Sequence, residues 1–149
     1  MTDSVVSPSH YVSDAPTLEP MELTMRLPHP LASAFEYVYR AGKKPGVPAE
    51  VDLRKAAFWL KSAAARIDAG LVFPRPSDTI YPLLIVFAQK SKFAEVILRE
   101  MLQKYRLDSV QPWESEDLEE FWKDVFQAAS AYVETLLDKL EAKQKETSR

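Results

Sequence analysis

The chain has 149 residues, 46% of them hydrophobic, with a formal net charge of −3 and no cysteine. That size and apolar content suit one domain with its own core, and the lack of cysteine excludes disulfides, thiolate metal sites and cysteine nucleophiles. An acidic chain is a poor binder of bulk nucleic acid. The longest apolar stretch, Leu83 to Ala88, is too short to span a membrane, so no membrane partner is expected, and the lack of cysteine and of a recognisable signal peptide fits a cytoplasmic protein.

Residues 1–16 are rich in Ser, Pro and Asp and lack periodicity, so they read as an extended N-terminal arm. Residues 17–149 form the expected helical domain, with a motif-bearing region at 17–70 and a helical half at 78–149. Thr17 is placed to cap a short helix over about 18–27. Pro28 and Pro30 close that segment and open the next, with Pro30 at a first helical position. The helix from Leu31 should stop at Gly42, the residue best suited to a left-handed turn. After Pro45-Gly46-Val47-Pro48 a longer helix runs to about Gly70, with Leu53, Ala56, Leu60, Ala64 and Ile67 as its buried stripe.

Phe73 to Pro76 reads as a linker. Pro82 to Tyr105 reads as one helix with a break near Ser91, and Pro112 marks a further loop. Ser115 is the expected cap of the last helix, whose acids come first and whose Lys139, Lys143 and Lys145 come last, as the helix dipole favours. Leu118, Trp122, Val125, Ala129, Tyr132, Leu136 and Leu140 make an apolar seam on that helix. Phe121, Phe126, Val133 and Leu137 flank it and make the face wider than one neighbour needs; the three preceding helices can cover part of it as an intramolecular core, and the remainder points to a homo-oligomer. With no alternating strand run, the predicted fold class is all-α with about five helices.

Charge locates the candidate chemistry. Arg26 to Arg66 hold eight Lys/Arg against three acids, a local excess of +5, whereas Asp108 to Arg149 hold eleven acids against five bases, a local −6. A basic patch in an acidic chain suits a small anionic ligand. Tyr37, Arg40 and Lys44 stand at i, i+3 and i+7, one side of a helix if the helix reaches that far. Lys43 and Lys44 follow the helix-ending glycine. The structural alternative is an amphipathic helix with Tyr37 in the core and Arg40 to Lys44 as its C-terminal cap. Asp52 and Lys55, at i and i+3, suit an ordinary ion pair, and Asp52 also suits a magnesium ligand or a partner for Arg40. Phe58 and Trp59 read as core or interface ahead of a stacking platform, and His29 reads as a helix-start residue.

His10 and Tyr11 lie in the polar arm. An imidazole serves as acid, base or phosphate donor near neutral pH, and a tyrosine stacks on a base. There is no GxxxxGK[ST] pattern, so Gly42-Lys43-Lys44 is not a P-loop. The acidic run Glu116 to Glu120 contains one Glu-x-x-Glu pair, as in all-α nucleoside triphosphate pyrophosphatases, but the matching Glu-x-x-Asp is missing. A solvated helix start explains the run.

Ser9-His10-Tyr11, Glu22, the Tyr37–Lys44 run and the Asp52–Leu60 run, spread over residues 8–60, resemble the SaV-like family of small phage proteins. At least one member of that family is described as a nucleoside monophosphate kinase. The resemblance implies a phage-encoded nucleotide-binding protein that transfers phosphate to a nucleoside monophosphate, with magnesium and a nucleoside triphosphate donor. In that reading Arg40, Lys43 and Lys44 hold phosphates, Lys55 adds to the ligand-binding set, Tyr11 or Tyr37 holds the base, and His10 or Asp52 assists transfer. Positive charge is what a phosphoryl-transfer transition state needs most. Ser33 and Glu36 depart from the family's usual Asn and Lys, which motivates an alternative: a non-catalytic protein that sequesters nucleotides or inhibits a host protein. A pyrophosphatase-like enzyme is the second alternative.

Overall fold

The computed structural model describes residues 19–104 and 113–147, which form six α-helices and no strand, an all-α fold. They are α1 (Pro20–Thr24), α2 (His29–Arg40), α3 (Ala49–Asp68), α4 (Ile80–Ala88), α5 (Lys92–Lys104) and α6 (Ser115–Thr147). The arm at 1–16, Thr17, Tyr105 and Pro112 lie outside the described residues. No helix among the described residues is long and apolar enough to cross a membrane.

Helix ends follow backbone chemistry. Pro20 occupies the first position of α1, where its missing N–H costs nothing. α2 starts one residue earlier than expected, at His29, so Pro28 caps it and Pro30 is its second residue. Gly42, at φ +78°, turns the chain after α2. A Cβ there would meet only the Ala49 Cβ at 3.5 Å, an ordinary contact, so the left-handed backbone is what calls for glycine. Past α3, Gly70 sits at φ +105° and the Leu71 N–H reaches back to the Arg66 carbonyl at 2.9 Å.

The expected break near Ser91 divides the fourth segment into two helices. Ser91 caps α5 by accepting the Ala94 N–H on its hydroxyl at 3.2 Å. At the last helix the expected cap is displaced: Ser115 is already helical, and the Asp117 carboxylate accepts the Glu114 N–H at 3.0 Å. This is the returning half of a capping box, with Glu114 in the cap position.

α3 packs against α2 and α6, α5 packs against α4 and α6, and α1 lies on α2 and α4. The α3 stripe behaves as expected: Leu53, Ala56, Leu60 and Ile67 are buried, Ala64 is half-buried, and the intervening Arg54, Lys55, Lys61 and Arg66 are exposed. Phe35 joins three helices, its ring edge-on to Phe87 at 6.0 Å and tilted on Phe93 at 6.2 Å.

The middle of the α6 seam is covered by the chain itself, whereas Leu118, Tyr132, Leu136, Leu137 and Leu140 stay only half-buried. Trp122, Val125 and Ala129 are buried, and so are Phe121, Phe126 and Val133, the residues expected to be surplus. Part of their cover is the 73–76 linker: Phe73 packs on Trp122 and Phe126, and the Trp122 indole N–H donates to the Pro74 carbonyl at 3.0 Å. Sequence periodicity counted helices as the only cover and missed this loop.

Candidate functional site

The residues expected to act together are divided between two places. Tyr37, Arg40 and Lys55 meet where α2 packs on α3. The Arg40 guanidinium lies 5.0 Å and the Lys55 ammonium 5.6 Å from the centre of the Tyr37 ring, so a half-buried tyrosine holds both cations. Asp52 makes no ion pair with Lys55 among the described residues. It is 4% exposed, and its Oδ2 has no hydrogen-bond partner; the Arg40 Nε is likewise buried without one. The cluster matches the structural alternative, with Tyr37 in the packing and Arg40 at the helix end. Lys44 is exposed beyond it. His29 starts its helix, edge-on to Trp59 at 5.2 Å, and Phe58 is exposed. His10 and Tyr11 lie outside the described residues.

Lys43 goes elsewhere. α2 ends at Arg40, and the turn at Gly42 brings the Lys43 ammonium back over Tyr39, 3.7 Å from the ring centre. Tyr39 is two residues from Tyr37 and therefore on a different face of the helix. Lys43 and Tyr39 open onto a cavity of about 430 Å³, within the range of small-molecule pockets. Its floor is apolar, from Val38, Leu53, Leu136 and Leu140, and Phe93 and Tyr132 add aromatic surface.

Five lysines line this cavity: Lys43 after α2, Lys90 and Lys92 at the α4–α5 corner, and Lys139 and Lys143 on α6. No carboxylate does. Lys92 is held by Glu95 at 3.2 Å, and Glu95 also holds Arg99 at 2.8 Å. Lys90, Lys139 and Lys143 make no ion pair among the described residues. The arrangement opposes local preference twice. Lys139 and Lys143 are like charges at i, i+4, which repel on a helix surface. Lys92 stands at the N-terminus of α5, where the dipole disfavours cations, whereas Lys90 also follows the C-terminus of α4, where it favours them. Against a net charge of −3 for the chain, the cavity concentrates positive charge over an apolar floor. It suits an anion with a flat or apolar body.

No family model, curated protein or solved structure matches this chain.

Among the described residues no three His, Asp or Glu side chains stand close enough to share a metal ion. The acidic run that suggested a pyrophosphatase is an exposed helix start, with Asp117 occupied in capping. Sequence reasoning selected Lys43 and missed the rest of the cavity wall. Two signals were present: a Lys-Ser-Lys triplet with no acid directly beside it at a helix break, and Lys139 and Lys143 one turn apart on one face, with the intervening Glu141 paired to Lys145 instead.

Tyr132 gives the cavity a pH signature. Burial first, and the Glu95 carboxylate second, push its phenol above the ordinary tyrosine value of 10.0. A raised folded-state value means that the stability linked to the neutral phenol is present in full below the unfolded value and is lost as pH rises through the folded one. Urea midpoints measured from about pH 9 to 11 should therefore fall more steeply for the native chain than for Tyr132→Phe. Parallel curves would show that the phenol does not feel these neighbours.

Proposed function

We propose that the protein binds a nucleotide in the lysine-walled cavity, phosphates on the ammonium groups and base against Tyr132. The observation that carries this reading is a wall of five lysines without a carboxylate. Aromatic faces at its edge supply stacking worth about 1–3 kcal/mol per base, and the family resemblance points to the same ligand class.

The reading is of binding rather than transfer. The residues lining the cavity include no carboxylate or imidazole to receive the proton of an attacking hydroxyl, and Asp52 is not among them. Nucleotide sequestration therefore ranks first. Phosphoryl transfer from a magnesium-bound nucleoside triphosphate, which the resemblance implies, is tested beside it. A phage source and a host-protein target enter this proposal through the resemblance alone, a cytoplasmic location through the ligand, and assembly through α6 by its apolar seam.

Calorimetry against a panel of nucleotides should give saturable binding. Each nucleoside monophosphate incubated with a nucleoside triphosphate and magnesium should give no nucleoside diphosphate above a protein-free control. Diphosphate formation would establish transfer instead, and failure of every nucleotide to bind would overturn the proposal.

A further inference from the structure

We infer that the cavity selects nucleoside polyphosphates over monophosphates, an inference that rests on the nucleotide reading above. Charge balance is the argument. Of the five ammonium groups, only Lys92 has a carboxylate partner, Glu95, and that carboxylate is shared with Arg99. Lys43 is engaged only by the Tyr39 ring. Four positive charges thus face the cavity without an anion among the described residues.

A monophosphate, with at most two negative charges, leaves at least half of that excess in place. The ammonium groups left over continue to repel one another, a repulsion that salt and water soften because all five lysines are exposed. A triphosphate carries about four negative charges near neutral pH, counting one per phosphate and a terminal second pKa of about 6. That matches the excess.

Placement of the lysines supports the same choice. They come from three separate parts of the fold: the turn after α2, the α4–α5 corner and the late turns of α6. A single phosphate with a few strong acceptor sites is satisfied by one or two of these groups. A chain of phosphates engages donors from several elements at once. Tyr132 on α6 lies in the same lining, so aromatic surface is available beside the lysines for a base at one end of such a ligand.

The experiment is a titration of the full-length protein with the mono-, di- and triphosphates of one nucleoside, and with inorganic triphosphate, at two salt concentrations. Affinity should rise about tenfold with each added phosphate, the gain expected of one further charge-assisted hydrogen bond. The triphosphate should also lose most affinity at the higher salt. Equal affinity for mono- and triphosphate would overturn this inference and leave the nucleotide reading intact. Inorganic triphosphate binding as tightly as the nucleoside triphosphate would support polyphosphate selection and overturn the role of the base. Binding of none of the four would overturn both.

Discussion

Trp122→Ala should lower the folding stability by about 3–5 kcal/mol, the usual cost of removing a buried tryptophan. The side chain is 1% exposed, sits against the rings of Phe73, Phe121 and Phe126, and bonds the linker through its indole N–H. A domain of this size holds only about 5–15 kcal/mol in total, so the variant should be near the limit of folding at 37 °C. Urea unfolding followed by circular dichroism should show a lower midpoint with an unchanged slope. Trp122→Phe keeps most of the packing and loses the bond to Pro74, so it should cost about 1–2 kcal/mol. If Trp122→Ala costs less than 1 kcal/mol, the aromatic contact between the linker and α6 is not part of the cooperative core.

The second large effect is on binding. Lys139→Gln combined with Lys143→Gln removes two of the five ammonium groups and should weaken nucleotide binding by about a hundredfold, two charged contacts partly discounted for solvent. Both side chains stand late in α6 with no ion pair among the described residues, so folding should survive. Lys123→Gln is the control. That lysine pairs with Asp68 at 2.8 Å and does not line the cavity, so its loss should leave affinity unchanged. An unaffected double variant would move the ligand away from α6, and an equal loss in the control would mean that general charge drives binding.

The helices were legible because their ends depend on single residues. Gly42 and Gly70 carry the positive φ that stops α2 and α3, and Ser91 supplies the hydroxyl that starts α5. Each of these is a local requirement that one residue type meets best. The cavity was not legible for the opposite reason. Its lysines lie in three stretches separated by dozens of residues, and they meet only because α6 packs on both α3 and α5. Tyr37 and Tyr39 look equivalent in sequence, yet the register of α2 sends one into the α2–α3 contact and the other to the cavity. Spacing alone grouped Tyr37 and Arg40 with Lys44. The end of α2 at Arg40 separated them, since a turn without helical periodicity obeys no such spacing.

The late turns of α6 carry one wall of the cavity, and every residue from 141 to 147 is exposed. Gln144 ties this stretch to α3 through a hydrogen bond to Glu50 at 3.4 Å, the long end of the range. Helix ends held this way fray and re-form far faster than a packed core opens. For a ligand seated there as proposed, the packed residues of the lining would set how strongly it is held, and the fraying end how quickly it leaves. Fraying would speed entry and release alike, so such a site would act as a buffer in fast equilibrium rather than as a trap.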